Sequence, residues 1–387
     1  MTKISIISSN INFKGGASIA TKRLINIFKK NFYVKIFFPR NNFIQKLKYY
    51  IARSLINVFI GKSVYLNSLN IFSKIDYKKI NSELVNLNWI GEETISLKNI
   101  SKIKVPIIWT LHDMWALNST EHFLDFNEEN KYSKKHKMPI LKKYIFNQKK
   151  KFYKKNLHLV TNSKWLEKIA KKSLLTKNQK IQTIYNPIET NYWKKKNKLY
   201  SIKKLNLNNN REYILMGAHG GLANFRKGGD LFIESLKKIN YLKDEYEIII
   251  LGQKENYIDS INGFKFNFRK FEKKISRQIL YQSVTNLVII PSRAESIPQF
   301  AVESIICQNP VVSFKIGGMN EIIEHKKNGY LAKPFNINDF SKGIDYCLTK
   351  IDKKNLKKFS NKLKVQFGQE NINKSYNNLF NSILSKS

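Results

Sequence analysis

Cysteine is nearly missing from this chain: 387 residues hold two, Cys307 and Cys347. Two thiols build no disulfide framework, and without a C-x-x-C pair there is no thiolate metal site. No apolar run approaches the 18 residues a spanning helix needs. The first residues, Met1 to Ser9, lack the charged-then-apolar shape of a signal peptide and read as a strand. Acidic residues are few, 28 against 69 basic, leaving a net charge of +41. Arginine is scarce too: eight, against 61 lysines. A dedicated nucleic-acid binder favours arginine, whose planar fork reads phosphates and bases bidentately. Lys, Asn, Ile, Phe and Tyr share AT-rich codons, so base composition accounts for much of the charge, with attraction to anionic membrane surfaces as a by-product. The expected location is the cytoplasm, with peripheral contact to the inner face of the plasma membrane.

What is abundant is short apolar runs with helical segments between them. Lys3–Ser8, Tyr33–Phe38, Leu84–Trp89, Val105–Leu111, His158–Thr161 and Ile181–Tyr185 occupy the first half. Tyr213–Met216, Glu247–Leu251, Leu287–Ile290, Pro310–Phe314 and Gly329–Ala332 occupy the second. Alternation of this kind predicts α/β structure, with parallel sheets covered by helices on both faces. Two series imply two Rossmann-like domains facing across a cleft, at 1–190 and 211–355. The Lys- and Asn-rich stretch 191–210 reads as a linker, and 356–387 as C-terminal helices. Residues 40–64 mix Arg40, Lys46, Lys48, Arg53 and Lys62 with Ile44, Leu47, Ile51 and Leu55 at helical spacing. That pattern suits a basic amphipathic helix on lipid as well as a helix packed on its own sheet. Residues 133–155 are lysine-dense, interleaved with Ile140, Leu141, Tyr144, Ile145 and Phe152.

The most informative feature is a pair of glutamates eight apart, Glu295 and Glu303, after the apolar run ending at Ile290. Ser296 reads as an N-cap with Gln299 closing a capping box and Pro298 in the first turn. That places Glu295 on a strand-to-helix loop and Glu303 about two turns into the helix. A helix N-terminus suits a phosphate, and flanking carboxylates accept hydrogen bonds from sugar hydroxyls. Solvated surface charges are the plainer alternative. Three further segments sit at strand ends, where open α/β sheets bind ligands. They are Gly15-Gly16, the segment Trp109 to Trp115 with His112 and Asp113, and the glycine-rich turn Gly217 to Asp230 with Arg226 and Lys227. The last lacks the spacing and the Ser/Thr of a Walker A loop but suits a diphosphate. Another double glycine, Gly317-Gly318, follows a strand end.

Together these segments resemble the family-4 glycosyltransferases, retaining enzymes of the two-Rossmann GT-B fold that work without metal. The resemblance rests on Pro291 to Ser304, Asn309 to Phe314, Gly317-Gly-Met-Asn-Glu321 and Asn328 to Pro334. Gly15-Gly16-Ala17, Thr110 to Trp115, Thr161 to Trp165 and Ile184 to Glu189 extend it over nearly the whole chain. It is strongest toward members that build bacterial exopolysaccharide, capsule or O-antigen. By resemblance, Glu303 holds the ribose of a nucleotide-sugar donor and Glu295 contacts the transferred sugar. Ser296, Ile297, Pro298, Gln299 and Phe300 bring backbone to sugar and phosphate. Lys227, helped by Arg226, neutralises the diphosphate, Gly15 and Gly16 lie near the phosphates, and His112 serves the reacting sugar. Asp113, Trp115 and His122 fall on the acceptor side.

There are departures. Ala218 stands where the family commonly has arginine, with Arg226 or His219 as substitutes. Leu117 to Phe123 lacks the paired glycines and cysteines of close relatives, leaving the acceptor open. Glu303-Ser-Ile-Ile replaces the more usual Glu-Ala-Met. The C-terminal helices are expected to cross back to the first domain. No Asp-x-Asp occurs, which agrees with a diphosphate bound without a metal; no cofactor is expected. The partners implied are a nucleotide-sugar donor and a saccharide acceptor, lipid-linked in such pathways, with no nucleic acid. A sugar-nucleotide epimerase of the same fold would share the donor pocket but need more acid–base residues than His112 and Asp113. A basic nucleic-acid binder has only the charge in its favour, since no recognised binding motif occurs.

Overall fold

The computed structural model describes residues 1–9, 15–39, 43–60, 68–124, 139–153, 157–218 and 220–385. The chain forms two units, Met1–Pro187 with Gln369–Ser387, and Ile188–Gly368.

Among the described residues, the first unit is built on a six-stranded parallel sheet. Its strands are β1 (Lys3–Ile7), β2 (Tyr33–Phe37), β3 (Leu84–Leu87), β4 (Ile107–Leu111), β5 (His158–Thr161) and β6 (Lys180–Thr183), in the order β2-β1-β3-β4-β5-β6. Every residue of β3 and β4 is buried, as near-continuous apolar runs covered on both faces require. Helix α1 (Gly16–Phe28) follows β1, and α2 (Phe43–Phe59) follows β2. Then α3 (Leu97–Ser101), α4 (Ile140–Phe152) and α5 (Lys164–Lys172) alternate with the remaining strands. Strand order reverses at β1, with β2 on one side and β3 on the other. Open α/β sheets bind ligands outside the carboxyl ends of strands at such a switch point.

Among the described residues, the second unit has a seven-stranded sheet, β13-β12-β11-β7-β8-β10-β9. Strands β7 (Glu212–Gly217), β8 (Tyr246–Gln253), β11 (Thr285–Ile290), β12 (Val311–Phe314) and β13 (Gly329–Ala332) correspond to the apolar runs of the sequence. Strands β9 (Tyr257–Ile261) and β10 (Phe264–Lys270) were not among those runs. Phe264, Phe266 and Phe268 point inward on alternate residues, and β9 lies antiparallel to β10. Asn262 and Gly263, both at positive φ, form the Asn-Gly turn that joins hairpin strands. The switch point of this sheet lies between β7 and β11.

Helix α6 (Lys198–Leu205) corrects the reading of 191–210 as linker. Asn197 caps it by accepting from the Tyr200 amide. Ile202 and Leu205 are buried, and the helix packs on α8 (Ile275–Val284). Two buried apolar residues in eight escape notice as a run yet suffice for one buried stripe. In the same unit α7 (Gly229–Leu236) follows β7, α9 (Gln299–Ile306) follows β11, and α10 (Ile337–Thr349) follows β13.

The C-terminal helices divide between the units. Helix α11 (Lys353–Phe367) packs on α9, with the Ser360 hydroxyl donating to the Ile306 carbonyl. Helix α12 (Gln369–Leu384) belongs to the first unit. Its Ile372, Tyr376, Phe380 and Ile383 join Ile4, Leu24, Phe28 and Phe32 in one core cluster. Phe28 meets Tyr376 and Phe380 edge-on at 4.9 and 5.0 Å, the geometry aromatic quadrupoles prefer.

Candidate functional site

At the switch point of the second unit, the turn after β7 and the loop after β11 meet on one carboxylate. Glu295 pairs with the Lys227 ammonium and, at 3.0 Å, with the Arg226 guanidinium. Arg226 also donates to the Ala294 carbonyl at 2.9 Å, and the Ser292 hydroxyl to Glu295 at 3.3 Å. Burial alone would push the carboxyl up, but Lys227 and Arg226 outweigh it and hold it below the usual range. Burial lowers the Lys227 ammonium; Glu295 opposes that shift, while Arg226 adds to it. The result is two half-buried cations on one buried carboxylate. Such a cluster suits a polyanion.

Two glycines let the loops come this close. Gly228 has φ +69°, and a Cβ there would fall 1.9 Å from the Pro291 carbonyl oxygen. Gly317, at φ +53°, would put a Cβ 1.7 Å from the carbonyl oxygen of Glu295 itself. Only glycine fits positions that combine positive φ with backbone contact. Arg293 ties the same loops. Its amide donates to the Arg226 carbonyl at 2.8 Å and its guanidinium to the Phe225 carbonyl at 2.7 Å. The guanidinium also pairs with Asp230 and lies 3.9 Å over the Phe225 ring. The sequence reading passed over Arg293, although it sits two residues before Glu295.

Neither glutamate is a solvated surface charge: Glu295 is 8% and Glu303 6% exposed. The capping box is corrected. Helix α9 starts at Gln299 with Pro298 as its N-cap, so Glu303 is its fifth residue, little more than one turn in. A residue before proline avoids the helical region, so Ile297 cannot begin a helix that Ser296 would cap. The Ser296 carbonyl instead accepts from the Gly318 amide at 2.7 Å. Ile297 is buried, while Pro298, Gln299 and Phe300 are half-buried. The Phe300 ring packs over Gly217, where a Cβ would lie 2.5 Å from it. His219 lies outside the described residues.

In the first unit, a second cluster gathers at the carboxyl ends of β3 and β4. The Asn88 amide nitrogen donates to Asn86 Oδ1 at 2.7 Å, so the Asn88 oxygen is an acceptor. It lies 3.1 Å from His112 Nε2. That contact places the imidazole proton on Nε2 and leaves Nδ1 a bare lone pair, with no partner among the described residues. Burial pushes the imidazole down to about 4, against the opposing pull of Asp113; His112 is neutral at physiological pH. Its free nitrogen can accept a hydrogen bond from a hydroxyl. A small cavity beside it is lined by Asn88, Trp89, Trp109, His112, Asp113 and Trp115, among others.

Asp113 is already engaged. It accepts from Trp89 Nε1 at 2.9 Å and from the Trp115 amide at 2.9 Å, and contacts His122 Nδ1 at 2.6 Å. His122 stacks on Trp89, the centroids 5.4 Å apart. Trp115, grouped with acceptor-side residues by resemblance, is a core residue, 3% exposed, whose indole donates to the Ser68 carbonyl. Lys149 was missed altogether. It is fully buried in α4, its ammonium 3.5 Å over the Trp115 ring and donating to the carbonyls of Trp115 and Asn118. Nothing in a lysine-dense segment marks one lysine as the buried one. Gly15, at φ +95°, precedes α1. A Cβ on Gly16 would meet no described atom within 4 Å, so packing there does not demand glycine, whereas a closely approaching ligand would.

Residues 197–365 match the family model described as Glycosyl transferases group 1. That segment is similar to group 1 glycosyltransferases. An uncharacterized glycosyltransferase of Methanocaldococcus jannaschii is 28% identical over 123 residues, 31% of this chain and 34% of that protein. The chain thus spans about a third of that relative's length. The fold is likewise that of glycosyltransferases of GT-B type. Sucrose-phosphate synthase from Thermosynechococcus elongatus superposes with a TM-score of 0.71 over 100% of both chains, at 13% identity. HepE of Anabaena, solved with UDP-glucose, gives 0.64 over 99% of this chain and 100% of its own, at 15% identity. At such identity the likeness is one of fold. The matched segment contains Glu295, Glu303, Arg226 and Lys227; His112, Gly15 and Gly16 lie outside it.

Proposed function

We propose that the protein is a retaining glycosyltransferase that moves a sugar from a nucleoside-diphosphate donor to a saccharide acceptor. The observation that carries this reading is the Lys227–Arg226–Glu295 cluster at the switch point of the second unit. Two cations converge on one carboxylate inside a domain that matches group 1 glycosyltransferases. HepE, a structural neighbour, binds UDP-glucose, which supports a nucleotide-sugar as the donor class.

In this scheme Glu303 accepts hydrogen bonds from the ribose hydroxyls, and Glu295 contacts the transferred sugar. Ser296 to Phe300 bring backbone toward sugar and phosphate. The bond from the anomeric carbon to the phosphate oxygen breaks, and the diphosphate leaves with the electron pair. Lys227 and Arg226 stabilise that charge without a metal. The acceptor oxygen attacks on the face the diphosphate leaves, and its proton passes to a phosphate oxygen, so configuration is retained. His112 contributes its Nδ1 lone pair to a sugar hydroxyl. The first unit serves the acceptor, a lipid-linked saccharide of cell-surface polysaccharide synthesis at the inner face of the membrane.

The test is release of nucleoside diphosphate from a panel of donor sugars, with EDTA present, with and without a pool of lipid-linked saccharides. Acceptor-dependent release that survives EDTA supports the proposal. Epimerised donor without acceptor, or dependence on a divalent cation, overturns it.

A further inference from the structure

Helix α2 buries one side and, among the described residues, leaves the other exposed. Ala52 and Ile56 join Leu69 and Ile145 of α4 in a small core cluster, with Leu55, Ile60 and Leu141 packed against it. Gln45 and Lys48 reach the carbonyls of Lys74 and Ser73 from the same helix. The opposite side shows Ile44, Leu47, Ile51 and Val58 at steps of three, four and seven, which is one helical stripe. All four are exposed, Val58 at 75%. Phe43 and Tyr50 widen the stripe, with Phe43 80% exposed. Scattered exposed apolar residues are ordinary, but a contiguous face of six large ones is not.

We infer that this face of α2 seats the protein on an anionic bilayer surface. The charges decide the occupant. Helix α2 contains no acidic residue, and Lys46 and Arg53 flank the stripe. Helix α4 covers the same cluster and exposes Ile140, at 90%, and Tyr144, beside Lys143 and Lys150. The whole chain carries +41. A second copy of this chain would bring a like-charged surface to the same place, whereas an anionic membrane supplies both the apolar layer and the opposite charge. An amphipathic helix of this kind lies in the interface, its apolar side chains in the acyl boundary and its cations at the headgroups. No helix among the described residues is long and apolar enough to cross a membrane. The inference stands on the helix face alone and does not depend on the reaction proposed above.

Co-sedimentation of the full chain with phosphatidylglycerol-containing and pure phosphatidylcholine vesicles tests it. Binding to the anionic vesicles is expected, weakened by salt. The triple variant Ile44→Ser, Leu47→Ser, Ile51→Ser should lose at least about tenfold in partition coefficient. Its circular dichroism and melting temperature should match wild type, since none of the three side chains is buried. Tyr241→Ser, on an exposed position of the second unit, serves as control and should bind as wild type. Equal binding of the triple variant and wild type overturns the inference. So does equal partition into neutral and anionic vesicles, or a wild-type dimer that the triple substitution dissolves without lipid.

Discussion

Single side chains carry the most direct tests. Glu303→Ala should raise the donor KM about 10- to 100-fold, because hydrogen bonds to a charged acceptor are worth roughly 1.5–3 kcal/mol each. Glu295→Ala should chiefly lower kcat, and should also destabilise the second unit by about 3 kcal/mol, since two half-buried cations lose their buried partner. Steady-state kinetics paired with denaturant melts separate the two; equal, mild effects at both positions would sink the assignment.

His112 makes a pH prediction. Its imidazole titrates at about 4 in the folded chain against 6.5 as the reference value. Between those pH values the unfolded chain holds a proton that the folded one does not, so stability falls as pH drops through this window. The loss reaches about 3 kcal/mol near pH 4. His112→Gln should flatten that slope, and an unchanged slope would assign it elsewhere. Lys149 holds two carbonyls of the loop beyond Asp113. Lys149→Met should therefore raise the acceptor KM while leaving the donor KM unchanged, and steady-state kinetics in which the donor KM rises instead would contradict it.

Elements show where residue patterns suffice and where they do not. Parallel strands such as β3, β4 and β11 were legible because burial on both faces demands unbroken apolar runs. The β9–β10 hairpin carried its own marks, an Asn-Gly turn and alternating phenylalanines, yet half of each strand is polar and no run stands out. Helix α6 hid for the same reason. Helix α9 starts two residues later than the cap rule alone predicts, because Pro298 keeps its predecessor out of the helical region.

The Glu295 loop depends on elements far away in sequence. Gly317→Ala would drive a methyl group into the Glu295 carbonyl, where the loop must move or unfold. A loss of more than about 2 kcal/mol in stability, with kcat reduced, is expected from such a combined clash and positive-φ penalty. A wild-type melting temperature and kcat in that variant would show that the loop tolerates displacement.

At the scale of the molecule, chain order and structural order part company. The first unit closes with the last helix, whose Tyr376, Phe380 and Ile383 complete the core around Phe28 and Phe32. A fragment of residues 1–187 should therefore fail to fold cooperatively, and Phe380→Ala should cost the first unit about 3–5 kcal/mol. Residues 188–368 contain the whole second core and should fold alone and bind a nucleoside diphosphate in calorimetry. A well-folded 1–187 fragment, or a 188–368 fragment that melts without cooperativity, would contradict this division.

The sequence by itself determined the architecture, the two families of parallel strands and the strand-end location of Glu295, Lys227 and His112. Each follows from local rules: apolar period and glycine between strand and helix. Tertiary structure alone decided which charges meet. That Lys227 and Arg226 share Glu295, that Lys149 is buried under Trp115, and that α2 turns Ile44 and Leu47 outward while Ile56 goes in are long-range facts. They depend on which loops a sheet brings together and which helix face a neighbour covers. Spacing along the chain holds no record of either.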